Sequence, residues 1–417
     1  MMSITAVKSM TDTNYLLRLW TGPLPHQELF PDRQINPLLH WFIHPLKRRI
    51  AKYYLLFLQR ISGLKVIAVT GSAGKTITKN MLTSVFSLEG PTVSTLDNIT
   101  STYNLPTTIL RCSMRTRYLI LEMSIEYPGD MDFYTWLARP DGAVYLNANR
   151  THTQYLKDVS VVASEKAKLI DALVPSAPAV INADDPNINL PVSGSVFKFG
   201  ASPNCFTQIK SSVISSDLKT KVELVINQKS FTIHLPFLGR HFAYPAAAAA
   251  TIAILFNVHP QNIVYGLEHS PVPSRRLYLI PVKNGPLLLD DTHNANPLAV
   301  AASLDTLIEI SRLTGNTPVF VFGQMNELGQ YEQSAHEEVG LKIRKLKIEN
   351  LLCTGPATKY TIAAAGTGQY FDTVETLSQR VIDFSSRNSH LCILIKASRS
   401  FHFETIVESL TQNASIS

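Results

Sequence analysis

Four cysteines are the whole thiol content of this 417-residue chain. Cys112, Cys205, Cys353 and Cys392 share no C-x-x-C spacing and have no histidine nearby at ligand spacing, which excludes a disulfide framework or a zinc module. Charged residues are also scarce, at 17% of the chain, and no stripe of interleaved aromatic and basic residues marks a nucleic-acid surface. No apolar stretch reaches the roughly 18 residues of a membrane span; Pro245 to Val258, built around Ala246–Ala250, comes nearest and stops short. The first residues, MMSITAVKSMTDTN, lack the apolar centre of a signal peptide, and the chain carries no internal repeat or low-complexity tract. These absences leave a globular protein with reduced, separately buried thiols, expected in the cytoplasm. Its net charge of +6 is spread along the chain and suits small anionic substrates.

The length allows two or three domains, and the 45% apolar content can build sizeable cores. Residues 1–62 read as a short leader. From 63 to 272, apolar runs such as YLILEM, AVYLN and AVIN alternate with helix-like stretches such as SVVASEKAKLIDAL. That alternation predicts a mainly parallel sheet with crossover helices. Within it VELVINQKSFTIHL alternates in the manner of an antiparallel hairpin, so a small β extension is expected. After the Pro-rich HSPVPSRR, residues 273–417 repeat the α/β pattern with LLLDD, VFVFG, NLLCTG and CILIKASRS as strands. The expected fold class is α/β: a central domain with a mainly parallel sheet and a small β extension, followed by a Rossmann-like C-terminal domain. Ligands in such sheets sit at the carboxyl ends of the strands.

The sharpest local signal is VIAVTGSAGKTITKNM, residues 66–81. The strict phosphate-loop pattern G-x-x-x-x-G-K-[ST] fails, because Val69 stands where its first glycine belongs. The context nevertheless suits a phosphate: an apolar strand enters a glycine-bearing turn that opens a helix, and the turn ends in Lys75 and Thr76. Thr76 would place a hydroxyl on Mg²⁺ and Lys75 would reach the outer phosphates of a nucleotide. An ordinary strand-turn-helix with a surface lysine is the blander alternative. Four more polar clusters lie at strand ends or on the helices between them: Glu122 in YLILEMS, His152 after AVYLN, Lys166 in SEKAK, and Asp290, Asp291, His293, Asn294 and Asn296 in LLLDDTHNANP. Each alone is more often structural than functional. Beside a phosphate loop, which needs a carboxylate from a neighbouring strand end for its metal, the balance reverses.

One further segment stands apart. Residues 38–60, LLHWFIHPLKRRIAKYYLLFLQR, mix aromatic and basic side chains as an amphipathic helix on an anionic membrane surface does. The blander reading packs this helix on the next domain with its basic face in solvent.

Taken together, TGSAGKT, LEMS followed by PGD, NANRTH, KAK, INADDP, DDTHNANP, GQMNELG and IKASRS resemble, in order and approximate spacing, the Mur ligases over about residues 64–412. In that family the loop has the form T-G-x-x-G-K-T. The resemblance implies an ATP-dependent, ADP-forming peptide ligase of cell-wall precursor synthesis, a monomer acting through an acyl phosphate on a muramoyl-peptide-like acceptor. Its dipeptide-adding branch matches best; a ligase for another carboxylate and amine pair, or a nucleotide-binding scaffold without catalysis, are the alternatives. The resemblance assigns ATP to Gly71, Ser72, Ala73, Gly74, Lys75 and Thr76, with Asn182, Arg275, Asp291, His293 and Asn294 completing the nucleotide site. It assigns two Mg²⁺ ions to Thr76, Glu122, His152 and a carbamylated Lys166, and substrate contacts to Asn98, Lys396, Ser398 and Arg399. Phe242 and Pro245 stand where the family usually has asparagines, the latter near adenine, and Gln324 replaces a usual acid.

Overall fold

A computed structural model describes residues 38–97, 99–174, 176–190, 195–282 and 285–413, with side chains omitted at 40, 41 and 413. Asn98 and residues 1–37 lie outside the described residues. The apolar runs become strands in two sheets. In the first, β1 (Lys65–Thr70), β2 (Thr92–Ser94), β3 (Tyr118–Glu122), β4 (Gly142–Tyr145), β5 (Ala179–Asn182), β6 (Val196–Gly200), β7 (Thr207–Ile214), β8 (Thr220–Ile226) and β9 (Lys229–Leu235) line up in the order β2-β3-β1-β4-β5-β6-β7-β8-β9. Pairing is parallel from β2 through β7. It turns antiparallel for β7-β8-β9, so the expected β extension is present and continues the main sheet. The near-continuous burial of β1, β4 and β5 is what a strand covered on both faces requires.

The second sheet holds β10 (Tyr278–Pro281), β11 (Leu287–Asp290), β12 (Thr317–Gly323), β13 (Asn350–Thr354), β14 (Gln369–Phe371) and β15 (Leu391–Lys396), ordered β10-β11-β15-β12-β13-β14. All pairs are parallel except β10 with β11, an antiparallel edge that the sequence pattern did not announce. The chain crosses between the sheets from Glu268 to Tyr278 without a regular element.

The alanine-rich stretch that comes nearest to a membrane span is a helix, Ala243–Leu255, buried along nearly its whole length. Its small side chains allow close approach to helix Lys75–Ser87 and to the sheet, which is how a helix apolar on all sides is satisfied in a large core. Among the described residues no helix is long and apolar enough to cross a membrane.

Candidate active site

β1 delivers the chain into the turn Gly71–Gly74, and helix Lys75–Ser87 starts at once. Two glycines make this possible. Gly74 has φ of +82°, a left-handed conformation that a side chain would strain, and a Cβ on Gly71 would come within 3.0 Å of the Leu146 Cβ. The amides of Ser72 and Ala73 both donate to Oδ1 of Asn147, each at 2.8 Å, and Asn147 returns a bond from Nδ2 to the Ala73 carbonyl at 3.1 Å. The first helical bond runs from the Thr78 amide to the Gly74 carbonyl. The amides ahead of it open the helix with no partner inside it, at its positive end. The phosphate cradle expected over Gly71–Thr76 therefore narrows to Gly74, Lys75 and Thr76; Ser72 and Ala73 line the cavity but their amides are already engaged by Asn147.

Lys75 folds back on the turn and donates to the Gly71 carbonyl at 2.7 Å. Desolvation, partly opposed by Glu122, lowers its pKa. Thr76 donates to Oε1 of Glu122, at the end of β3, at 3.2 Å. The Glu122 amide is fixed in turn by Thr95 Oγ1 at 3.1 Å.

These groups face one cavity of about 860 Å³ whose other wall comes from the second sheet. Among its lining residues are Lys75, Thr76, Glu122, His152, Asn182, Arg276, Asp291, His293, Asn294, Lys396, Ser398 and Arg399. The volume falls in the usual range for a small-molecule site. Most residues singled out from the sequence thus converge.

The second sheet's wall is tied together before any ligand arrives. Lys396 is fully buried and pairs with Asp291 Oδ2 at 2.6 Å while donating to the Asn294 carbonyl at 2.9 Å. Ser303 also donates to Asp291 Oδ2, at 2.6 Å, and the Leu277 amide donates to Oδ1 at 3.2 Å. Lys396, expected at the incoming peptide, lines the cavity with its ammonium held in these two contacts. The Ser398 hydroxyl accepts from the Asn326 amide at 2.8 Å. Asn182, at the end of β5, donates to the Leu146 carbonyl at 3.0 Å and accepts from the Asp184 amide at 3.0 Å, so it holds the loop shape.

Arg275 does not line the cavity. Its backbone has φ of +61°, and its side chain pairs with Glu404 at 3.1 Å and Glu408 at 3.7 Å. Arg276, its neighbour, points the other way into the cavity and reaches His293 Nε2 at 3.2 Å. A guanidinium only donates, so His293 accepts at Nε2 and is neutral. Burial, with Arg276 and Arg399 close by, pushes the His293 pKa down to about 3. Burial likewise pushes His241 down to about 4.

His152 joins the two halves. It has φ of +57° at the start of a short helix, Thr153–Leu156, and its Nδ1 lies 2.6 Å from Oε2 of Glu327. That contact lowers the Glu327 pKa. The Gln154 amide donates to the Glu327 carbonyl at 3.1 Å, Thr153 Oγ1 donates to the Leu328 carbonyl at 2.9 Å, and Tyr331 donates to Asp158 at 2.6 Å. Lys166 lies behind the cavity wall rather than on it. It is 2% exposed on helix Val159–Asp171, and among the described residues its Nζ has no hydrogen bond or ion pair. Burial, with the Lys75 ammonium in electrostatic range, lowers its pKa well below the usual value. Among the described residues no three His, Cys, Asp or Glu side chains converge as a metal cage.

Against known families, residues 69–253 match the Mur ligase middle domain and residues 275–399 match the Mur ligase, glutamate ligase domain. The UDP-N-acetylmuramoyl-tripeptide–D-alanyl-D-alanine ligase of Buchnera aphidicola subsp. Baizongia pistaciae is 30% identical over 350 residues, covering 83% of this chain and 75% of the relative. This chain belongs to the Mur ligase family. The Escherichia coli K12 ligase of the same name is 30% identical over 355 residues, covering 84% of this chain and 77% of the relative. Among solved structures, MurF from Acinetobacter baumannii superposes with a TM-score of 0.81 at 25% identity, covering 88% of this chain and 80% of its own. MurF from Thermotoga maritima in complex with ADP has the same fold, with a TM-score of 0.78 at 23% identity over 89% and 84% of the two chains.

For a Mur ligase, the sequence reading missed the residues that hold the site rather than those that line it. Asn147 stood in the quoted NANRTH and Glu327 in GQMNELG, and a side-chain amide or carboxylate at a strand end was the available signal. Arg276 was hidden by its neighbour: nothing in SRRLY says which arginine faces inward until the left-handed turn at Arg275 is known. Both family matches leave helix His44–Ile61 outside.

Proposed function

We propose that this chain is an ATP-dependent, ADP-forming amide ligase that couples D-alanyl-D-alanine to the terminal carboxylate of a UDP-muramoyl-tripeptide. The observation that carries this is the single cavity in which Gly74–Thr76 and Glu122 of one half face Arg276 and His293 of the other. The relatives named above support the substrate pair. Within the reading, residues 1–62, 63–272 and 273–417 are leader, ATP-binding domain and C-terminal domain.

The reaction starts when a carboxylate oxygen attacks the γ-phosphorus and ADP leaves, giving an acyl phosphate. The amine then attacks the acyl carbon, the tetrahedral intermediate expels phosphate, and the ammonium proton leaves to solvent. Two anions must meet in the first step, so positive groups fixed at the γ-phosphate are the main requirement. Lys75 exchanges the Gly71 carbonyl for a phosphate oxygen, and the Gly74–Thr76 amides hold the phosphates at the helix N-terminus. Arg276, placed by neutral His293, closes on the same charge from the second half. Bringing two halves together also keeps water from the acyl phosphate.

The donor set fits magnesium, which when bound supplies charge neutralisation at the phosphates. Thr76 and Glu122 would hold one ion. His152 would hold a second through Nε2, because Glu327 takes Nδ1 and so fixes the tautomer. Lys166 fits a carbamate. Buried with no partner among the described residues, it is held toward the free amine, which would add CO₂ with loss of a proton and so supply an oxygen donor near Lys75.

Another carboxylate and amine pair is the second reading. Gln324, in place of the usual acid, is tied to Glu332 at 3.2 Å and to the Ala357 amide at 3.0 Å, which alters that corner of the second half. Phosphate release measured with UDP-muramoyl-tripeptide and a panel of amines decides between the two. Release with D-Ala-D-Ala, abolished by Lys75→Ala, supports the first reading; release only with another amine supports the second. Within the same proposal the chain works in the cytoplasm as a monomer.

A further inference from the structure

Helix His44–Ile61 has two apolar faces, and among the described residues only one of them packs into the fold. Ala51, Leu55 and Leu58 are buried against the first sheet's helices. The flanks are pinned as well: Lys47 donates to Thr107 Oγ1 at 2.8 Å, Tyr54 donates to the Cys112 carbonyl at 2.9 Å, and the Lys52 ammonium sits 4.2 Å over the Trp136 ring. Arg48 is buried and Lys47 and Lys52 are engaged with the fold, while Arg60 stays in solvent. What points outward, with the short turn before the helix, is Phe42, Leu46, Ile50, Tyr53, Phe57 and Ile61, each at least 50% exposed. Their spacings of four, four, three, four and four place them within an arc of about 100° along one side of the helix. A continuous ridge of large exposed apolar side chains is unusual on a soluble monomer and marks a contact surface.

The charges around the ridge say what it contacts. Between residues 38 and 65 there is no Asp or Glu, while Lys47, Arg48, Arg49, Lys52, Arg60 and Lys65 are all present. Helix Ser101–Leu110, packed alongside, also carries no acid, and neither does any residue from 98 to 121. It adds exposed Tyr103 and Leu110, followed by Arg111, exposed Met114 and Arg115. A protein partner of ordinary composition would meet such a surface with paired charges of both signs. Asp141, which accepts from Gln59 and pairs with Lys65 at 3.4 Å, offsets one of these cations; a predominantly basic surface with an apolar ridge is complementary to anionic headgroups above acyl chains. We propose that the outward ridge of helix His44–Ile61 seats this protein on an anionic lipid surface, with Phe42, Leu46, Ile50, Tyr53, Phe57 and Ile61 entering the interface and the exposed Arg60 and Arg115 at the headgroups. The inference stands on a surface away from the cavity and is independent of which amide is made.

The test is co-sedimentation of the full chain with phosphatidylcholine vesicles containing or lacking phosphatidylglycerol. Binding to the anionic vesicles, weakened by salt and weak on phosphatidylcholine alone, is expected. Ile50→Glu/Phe57→Glu lowers the partition coefficient at least about tenfold, and Arg60→Gln/Arg115→Gln lowers it about fivefold per charge removed. ATP-dependent phosphate release in solution stays unchanged in both. The proposal is overturned by absence of sedimentation with anionic vesicles, or by binding that both variants leave intact. It is also overturned if the chain is a dimer by light scattering that Ile50→Glu/Phe57→Glu dissociates while vesicles go unbound, which would make the ridge a contact between copies.

Discussion

Three lysines meet or back the same cavity, and the two halves of the molecule use them in opposite ways. In the C-terminal half, Lys396 is fully buried and saturated by Asp291 and the Asn294 carbonyl. In the first half, Lys75 holds one carbonyl of its own loop, and Lys166 holds nothing among the described residues. A buried cation already paired stabilises a wall. One held only by a neutral carbonyl is available to an incoming anion, and burial lowers its pKa. The contrast separates a half whose buried lysine is already paired from a half that leaves its buried lysines for the nucleotide of the proposed reaction.

That contrast can be broken most directly by exchanging the lysines' fates. Lys75→Ala should lower ATP-dependent phosphate release by at least about a thousandfold without lowering the unfolding midpoint. Lys396→Met should do the reverse in kind: a loss of about 3–5 kcal/mol in denaturant unfolding, because Asp291 stays buried without its cation. If Lys396→Met unfolded as the parent does, the description of a wall stabilised by its paired lysine would be wrong.

A sharper cut uses adjacent residues. Arg276→Ala should reduce kcat/KM about a hundredfold, whereas Arg275→Ala, whose partners are the outer Glu404 and Glu408, should stay within about twofold. Equal losses would mean that the linker turn, not the inward guanidinium, matters. Smaller again is Glu327→Gln, which keeps shape but weakens the orientation of His152; an activity loss of about tenfold, with a higher magnesium requirement, is expected. A loss without any change in magnesium dependence would remove His152 from the metal.

The last effect, spread over several pH units, is on stability. His241 and His293 have folded-state pKa values pushed down to about 4 and about 3, below the unfolded value. Between those values and about 6.5 the unfolded chain binds more protons, so stability is intact above that range and falls as pH drops through it, by up to roughly 1.4 kcal/mol per unit per histidine. His293→Asn should flatten the acid limb of an unfolding-midpoint-against-pH curve. An unchanged slope would show that His293 is not held neutral.

The fold was legible because β1, β4, β5, β12 and β15 are buried on both faces and so read as unbroken apolar runs. The antiparallel edge β10 was not, since Tyr278–Pro281 is half-exposed and ends in proline. Within the site, residues whose chemistry marks them by type, Lys75, Thr76, Glu122, His152 and His293, were visible in the sequence. Their supports were not. Asn147 acts through a pairing 74 positions away with Ala73, and Glu327 meets His152 only after two domains dock. Such partnerships are properties of the packed chain, and local periodicity carries no trace of them. Helix His44–Ile61 showed its amphipathic character early, but which of its faces met the core depended on the packing of Ala51, Leu55 and Leu58.

A crystal structure with magnesium and a nonhydrolysable ATP analogue tests the central claim most directly. The account predicts the triphosphate against the amides of Gly74–Thr76, with Lys75 moved from the Gly71 carbonyl onto the terminal phosphate and Arg276 opposite. A nucleotide bound elsewhere, or a terminal phosphate in the cavity with Lys75 still on Gly71, would contradict it.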